Sequence, residues 1–240
     1  MLRTILDIIY PIRCPVCGEI VIPKGSLICK ACEDKPILVT EPRCKKCSKP
    51  IELVEKEYCS DCERKNFHFD RGYAVWVYDK IMKQSIANFK YHNKKEYAAC
   101  YIRQMLKSYG EQIRKLSPDV IVPVPVHISK YIERGYNQAD IIARGLGKEL
   151  QIPVLSDLLL RTKKTLPQKR LDDKERLRNL SKAFRLNEKT VAAYPKKLSR
   201  ILLVDDIYTT GSTMEACTSV LKSNGIKEVY FIVLCIGKGY

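Results

Sequence analysis

The sequence lacks any apolar run that approaches the roughly 20 residues needed to cross a bilayer. Its first segment, MLRTILDIIYPIRCPVC, contains only a short apolar stretch, which Asp7 and Pro11 interrupt. This segment therefore resembles neither a signal peptide nor a membrane anchor. We expect a cytoplasmic protein without a transmembrane segment. Contact with the inner face of the membrane is left open as an alternative.

Acidic residues are scarce relative to basic ones. The 240 residues include 43 Lys and Arg but only 27 Asp and Glu, a net charge of +16. Residues 1–68 carry a net charge of +2 and residues 69–240 one of +14, of which +10 lies in Arg161–Arg200. We expect residues 69–240 to meet an anionic partner, although a purely solubilising role is the alternative.

Because no secretion signal is present, the 11 cysteines are not expected to form a disulfide framework. Eight of them form four Cys-x-x-Cys pairs, each separated from the next by eleven residues: Cys14 and Cys17, Cys29 and Cys32, Cys44 and Cys47, Cys59 and Cys62. Two such pairs can hold one Zn²⁺ in a tetrahedral, structural site. The spacing predicts two zinc ribbons. Consecutive pairing is the simplest arrangement, and cross-braced pairing remains possible.

Zinc changes the charge of this N-terminal segment. Each Zn²⁺ with four thiolates carries about −2, so the ribbons become neutral to slightly acidic. A role in protein docking or as a scaffold is therefore at least as consistent with the sequence as nucleic-acid binding.

The remainder of the chain alternates strand and helix patterns. Strands are predicted at RGYAVWVYD, DVIVPVPVH, KLSRILLVDD and VYFIVLCIG. A helical pattern runs from about residue 80 to 116, with a break at KYHNKK, and another covers NQADIIARGLGKELQ. This alternation predicts an α/β fold with a mainly parallel sheet flanked by helices. We divide the chain into a double zinc ribbon at 1–68 and an α/β domain at 69–240.

The stretch ILLVDDIYTTGSTMEAC predicts a sugar-phosphate site. A buried strand, Ile201–Val204, runs into Asp205 and Asp206, and the loop Thr209–Thr213 follows. Ligands of open α/β sheets bind at the carboxyl ends of strands, and a helix N-terminus binds phosphate. Carboxylates suit sugar hydroxyls. Ser212-x-x-Glu215 also fits a capping box at the start of the next helix.

Residues Ile201–Thr213 resemble the phosphoribosyl diphosphate (PRPP) signature of type I phosphoribosyltransferases. Three further segments, VPVPVHISKYIERGYNQA, FKYHNKKEYA and RTKKTLPQKRLDDKERLRNLSKAF, together with the zinc ribbons, resemble the ComF family of competence proteins. The resemblance covers essentially the whole chain. One small departure is Tyr136, where the family often has Phe.

The resemblance implies roles for particular residues. Asp205 and Asp206 would hold the ribose hydroxyls of PRPP. The 5′-phosphate would be held by Thr209, Thr210, Gly211, Ser212 and Thr213. The pyrophosphate loop would include Pro123 and Val124, with Arg134 just beyond it. Arg161, Gln168, Arg176 and Asn179 would belong to a catalytic hood. Mg²⁺ would arrive with the diphosphate of PRPP.

Two functions follow from the resemblance. The first is a competence protein of natural transformation that binds single-stranded DNA beside a ComFA-type helicase. The second is an active phosphoribosyltransferase, although no residue identifies the acceptor substrate. A third hypothesis joins them: PRPP binds as a ligand that orders the basic hood and so tunes DNA binding.

Overall fold

A four-stranded parallel sheet forms the centre of the structure, a computed structural model that describes residues 11–22, 25–162 and 183–238. The strands of the described residues are β1 (Arg71–Val77), β2 (Val120–Pro123), β3 (Leu159–Arg161), β4 (Phe184–Leu186), β5 (Arg200–Tyr208) and β6 (Glu228–Ile236). The parallel sheet has the spatial order β1-β6-β5-β2, and β3 and β4 form a separate antiparallel pair. The predicted parallel α/β fold is confirmed.

The α-helices of the described residues are α1 (Ser60–Arg64), α2 (Lys80–Tyr91), α3 (Tyr97–Leu116), α4 (Ile128–Arg134), α5 (Gln138–Leu150), α6 (Glu188–Ala193) and α7 (Ser212–Ser223). The predicted break in the helical pattern lies between α2 and α3. Asp79 begins α2 as its N-cap, since its side chain accepts a hydrogen bond from Met82 N at 2.8 Å. Across the described ranges, no helix is long and apolar enough to span a membrane.

The helices cover both faces of the sheet. Buried side chains of α2, α3 and α5 pack on the face that Leu202 and Val204 contribute, whereas α7 packs on the face of Ile201 and Leu203. The adjacent strands β2 and β5 are thus followed by helices on opposite faces, α5 and α7. Such a topological switch point opens a crevice at the carboxyl ends of the strands, where ligands of open α/β sheets bind.

Strand β5 is longer than the sequence predicted. It continues past Val204 to Tyr208, because β6 pairs with it as far as Tyr208 and Ile236. Asp205 and Asp206 therefore lie within the strand, the loop is Thr209–Gly211, and α7 begins at Ser212. The neighbouring β2 ends at Pro123, opposite Val204. Beyond that point β5 loses its ladder partner on the side of the crevice.

The second cysteine cluster shares a core with the sheet. Cys44, Cys47 and Cys59 are buried in the same apolar cluster as β5 and α7 residues. Ser48 Oγ donates to Gly72 O at 2.8 Å, and Gly72 N donates to Lys46 O at 2.7 Å. The ribbon thus contacts β1 directly. The division into domains at residue 68 stays a prediction.

We predict that alanine substitutions at two glycines change the stability of the protein in opposite directions. In Gly72→Ala, the new Cβ would lie 2.0 Å from Phe231 Cζ, so the ring or the strand must shift. Overpacking of this kind costs about 1–3 kcal/mol or more. In Gly110→Ala, within α3, the nearest atom lies 3.7 Å away, and alanine should stabilise the helix by about 0.5–1 kcal/mol.

Urea unfolding of the two variants and the wild type measures both effects. A Gly72→Ala protein as stable as the wild type would contradict the close packing of β1 on Phe231.

Candidate functional site

The cysteines gather into two clusters of consecutive pairs. The Sγ atoms of Cys44, Cys47, Cys59 and Cys62 all lie within 4.8 Å of one another. In a tetrahedral site with Zn–S bonds of about 2.3 Å the sulfur atoms are about 3.8 Å apart, so these four residues fit one Zn²⁺. Cys14, Cys17 and Cys32 form the other cluster, and Cys29 Sγ lies 3.9 Å from Cys17 Sγ. The structure therefore favours consecutive over cross-braced pairing.

The two aspartates of β5 leave the strand on opposite faces. Side chains alternate along a strand, so Asp206 follows Leu202 and Val204 toward α2, while Asp205 follows Ile201 and Leu203 toward α7. Both lie beyond the end of β2, at the switch point between β2 and β5. The pair therefore lines the crevice from both sides of the sheet.

Asp206 has a cationic partner on its face. Lys90 Nζ, from the last turn of α2, lies 2.7 Å from Asp206 Oδ2. Both side chains are largely buried, with 17% of Lys90 and 10% of Asp206 exposed. Burial lowers the pKa of Lys90, but the charge and hydrogen bond of Asp206 outweigh this effect and raise it. The lysine is therefore charged at neutral pH.

Asp205 carries the clearest sign of an unusual environment. Burial raises its pKa to about 7, and the charge of Asp206 adds to the increase. Lys90, the backbone N–H of Asp206 at 2.8 Å and Arg161 oppose it. Arg161 comes from β3, so β3 brings one predicted hood residue to the pocket. A carboxyl group that titrates near neutral pH is typical of a functional site.

The loop Thr209–Gly211 leads to the N-terminus of α7. Gly211 is the N-cap, with a φ of 80°, and no side chain caps the helix. Thr210 Oγ1 lies 2.9 Å from Ser212 Oγ, and Thr213 occupies the first turn. The first N–H groups of a helix have no intrahelical acceptor, so this end can bind a phosphate.

The predicted capping box is wrong. The Glu215 carboxylate accepts a hydrogen bond from His68 N at 2.8 Å and contacts His68 Nδ1, rather than the backbone N–H of the N-cap. The residue is almost completely buried. Tertiary packing therefore uses Glu215 to attach the chain just after the second ribbon to α7, the helix that follows the predicted phosphate loop Thr209–Gly211.

Aromatic side chains form the base of this loop. A Cβ on Gly211 would lie 2.4 Å from Tyr208 Oη and 2.9 Å from Phe67 Cζ, so only glycine fits. Tyr208 stacks on Phe231 with ring centroids 5.0 Å apart, and Phe67 stacks on Phe69 at 5.0 Å. The loop thus rests on side chains from both the sheet and the segment that follows the second ribbon.

The predicted pyrophosphate loop follows β2. Val124 N donates to Val204 O at 2.9 Å, and Asn137 Nδ2 donates to Val124 O at 3.0 Å. Pro123 is the last residue of β2. Arg134 donates to Gln138 Oε1 at 3.0 Å and to Tyr91 Oη at 2.9 Å. This loop lies next to β5, on the side of the crevice.

The structure thus brings Asp205, Asp206, the phosphate loop, the β2 loop and Arg161 to one end of the sheet. Gln168, Arg176 and Asn179, the other predicted hood residues, lie outside the described residues. Neither the roles of these residues nor Mg²⁺ with PRPP is tested by the geometry, so both stay predictions.

Comparison with known proteins agrees with this architecture. The double zinc ribbon domain family matches residues 5–63, and the phosphoribosyl transferase domain family matches residues 98–239. Competence protein F of Haemophilus influenzae is 31% identical over 173 residues, which cover 70% of this chain and 74% of that protein. The chain belongs to the ComF family.

Two further proteins resemble this chain to different degrees. DNA utilization protein YhgH of Escherichia coli is 30% identical over 181 residues, which cover 72% of this chain and 75% of that protein. Among solved structures, adenine phosphoribosyltransferase of Leishmania tarentolae has a TM-score of 0.37 and 14% identity, covering 62% of this chain and 74% of that one. The predicted ComF resemblance, the double zinc ribbon and the phosphoribosyltransferase domain are confirmed.

Sequence reasoning missed two residues near the pocket. Lys90 lies within FKYHNKKEYA, a segment that resembles the ComF family, but nothing in that segment identifies Asp206 as its partner. His68 is the second missed residue, and its partner Glu215 lies 147 residues away in sequence. Contacts of this range become visible only in the folded chain.

We predict unequal effects of losing a cysteine from the two clusters. Cys47→Ser should reduce the zinc content by about one ion and lower the melting temperature strongly, because Cys47 lies in the core shared with the sheet. Cys17→Ser should also release zinc, but with a smaller fall in melting temperature, since Cys17 is exposed and outside that core.

Atomic absorption and calorimetry measure both quantities. Cys100→Ser, at a buried thiol outside both clusters, serves as the control and should keep the zinc content of the wild type. Unchanged zinc in Cys47→Ser would contradict the assignment of the second cluster.

We predict that Asp205→Asn stabilises the free protein in a pH-dependent way. Between its ordinary pKa of 3.8 and about 7, the folded protein holds a proton on Asp205 that the unfolded chain has released. Its contribution to stability therefore falls as pH rises through that window. Asparagine does not titrate, so its advantage over aspartate should be larger at about pH 8 than at about pH 5.

Thermal unfolding at the two pH values tests this expectation. Asp157→Asn, at an exposed position, is the control and should show no such trend. An advantage that is the same at both pH values would show that Asp205 does not titrate in this range.

Proposed function

We propose that this chain is a competence protein that acts in natural transformation in the cytoplasm, where it binds single-stranded DNA and carries a PRPP pocket. One observation supports the pocket most directly: Asp205 and Asp206 and the uncapped N-terminus of α7 meet at the switch point between β2 and β5. The names of its relatives, competence protein F and DNA utilization protein YhgH, support the biological role.

The chemistry of the crevice suits a sugar phosphate with distinct ends. Ionised carboxylates only accept hydrogen bonds, so Asp205 and Asp206 suit the ribose hydroxyls and not the phosphate. The 5′-phosphate suits Thr209–Thr213, where backbone N–H groups and the helix dipole favour an anion. The loop after β2, with Pro123 and Val124, would face the diphosphate.

Charge and exposed aromatic side chains support binding of single-stranded DNA. The net charge of +14 in residues 69–240 favours a polyanion, because lysine and arginine release counterions from phosphates. Tyr91 and Tyr131 are 54% and 48% exposed, and the Arg134 guanidinium lies 4.8 Å from the centroid of the Tyr91 ring. Exposed rings beside cations suit the stacking of unpaired bases. A ComFA-type helicase partner stays a prediction.

Turnover is the second candidate function. Arg161 places a positive charge near Asp205. Residues 163–182, which lie between β3 and β4 in sequence, are basic and include the remaining hood candidates. An acceptor would form a bond to the anomeric carbon of PRPP while the bond to pyrophosphate breaks. Cations near the leaving group would stabilise its developing charge. Release of pyrophosphate with candidate bases or amines, lost in Asp206→Asn, would distinguish turnover from binding alone.

The pocket is tested by calorimetric titration of PRPP with Mg²⁺. The wild type and the control Asp157→Asn should bind PRPP equally. Asp206→Asn should bind it at least about tenfold more weakly, since an interaction of about 1.4 kcal/mol with the sugar is lost. A wild type that does not bind PRPP, or an unchanged affinity in Asp206→Asn, would contradict the pocket.

A separate titration tests the DNA surface. Affinity for an unstructured oligonucleotide should fall steeply as salt increases, because several phosphates are neutralised on binding. No binding near physiological salt, or binding that is independent of salt, would contradict the proposed DNA interaction.

A further inference from the structure

The buried ammonium group of Lys90 lies inside the proposed sugar pocket. Its Nζ is 2.7 Å from Asp206 Oδ2, and the charges of Asp205 and Arg134 also act on it. Lys90 comes from α2, whereas the predicted pocket residues of the described chain come from β2, β3, β5 and the segments that follow β2 and β5. The segment between β1 and β2 therefore supplies a charge to the carboxylate pair.

The end of α2 is held in place before any ligand binds. Tyr136 Oη donates a hydrogen bond to the carbonyl oxygen of Phe89, the residue before Lys90. Phe89 and Met82 anchor the same helix in the core through completely buried side chains. Lys90 is therefore a fixed group in the pocket and not a mobile surface side chain.

Two adjacent carboxylates create an electrostatic problem for an anionic ligand. A sugar phosphate would meet the negative charge of Asp206, and that of Asp205 whenever this group is ionised, at the end where its hydroxyls bind, unless a cation neutralises one of them. Lys90 already supplies a cation at that position, because its Nζ lies 2.7 Å from Asp206 Oδ2.

We infer that Lys90 is a positioning residue that replaces a divalent cation at the sugar-binding carboxylates. This inference rests on the proposed function. Lys90 neutralises one of the two carboxylates and fixes the orientation of Asp206 by engaging one of its oxygens. A carboxylate offers about four lone-pair sites, so Asp206 can accept a ribose hydroxyl at the same time.

Mg²⁺ should therefore affect the two ends of the ligand differently. Mg²⁺ accompanies the diphosphate of PRPP, whereas the sugar end needs no metal. A ligand without a diphosphate, such as ribose 5-phosphate, should therefore bind equally well in the presence or absence of Mg²⁺. An ion pair that merely attaches α2 to the sheet would not predict this behaviour.

The experiment measures the affinity of ribose 5-phosphate by calorimetry, with EDTA and with excess Mg²⁺. The wild-type affinity should change by less than about threefold between the two conditions. Lys90→Met keeps an apolar stem of similar length but removes the charge, and should bind at least about tenfold more weakly in EDTA. Mg²⁺ should restore part of that loss, because the carboxylate is then accessible to it. Lys90→Arg should retain binding in EDTA.

Lys222→Met is the matched control. It removes an ion pair of similar length, 2.8 Å from Lys222 Nζ to Asp70 Oδ2, at the opposite end of α7 from the phosphate loop, and should leave the affinity unchanged. Unchanged binding by Lys90→Met, or a loss that neither Mg²⁺ nor arginine restores, overturns the inference alone. If Lys90→Met does not fold, a wild type that requires Mg²⁺ for ribose 5-phosphate overturns it. A wild type that binds neither ribose 5-phosphate nor PRPP overturns the proposed function as well.

Discussion

Strand β5 extends four residues beyond its neighbour β2, and the pocket depends on this difference in length. β2 ends at Pro123, and a second proline follows at Pro125. Val124 N still donates to Val204 O at 2.9 Å, and the ladder between β2 and β5 ends there. β6 supports β5 on its other side as far as Tyr208. One edge of β5 is thus paired with β6 as far as Tyr208, whereas the pairing of the other edge with β2 ends at Val204. Asp205 and Asp206 follow that point.

The second zinc ribbon supports the same pocket through a shared core and through the segment that follows the ribbon. Its cysteines lie in the core shared by β5 and α7, and the segment after it supplies Phe67 beneath Gly211. His68 holds Glu215 in the first turns of α7. Folding of a small ribbon depends on its metal, so loss of zinc from the second cluster should also destabilise the loop Thr209–Gly211. This dependence gives the ribbon a structural role that does not require it to contact nucleic acid.

Alternation along a single strand explains the different environments of the two aspartates. Asp206 faces α2 and meets Lys90, whereas Asp205 faces the side of α7 and β3, where Arg161 lies. Asp206 has a direct ion pair, while burial raises the pKa of Asp205 to about 7. Because the pKa of the Asp205 carboxyl group is raised, this group lowers the stability of the free protein at neutral pH. A ligand hydroxyl that donates to Asp205 would offset part of that cost.

The sequence by itself determined the features that depend on local chemistry. Cys-x-x-Cys spacing predicted the zinc ligands, the apolar strand followed by aspartates and a glycine loop predicted a sugar-phosphate site, and periodicity predicted the α/β fold. Only the tertiary structure decided the grouping of the cysteine clusters, the true end of β5, the partner of Glu215 and the position of Lys90 beside Asp206. These features depend on contacts between residues far apart in sequence, such as Lys90 with Asp206 and His68 with Glu215. Local propensity carries no information about such contacts, because packing alone brings these residues together.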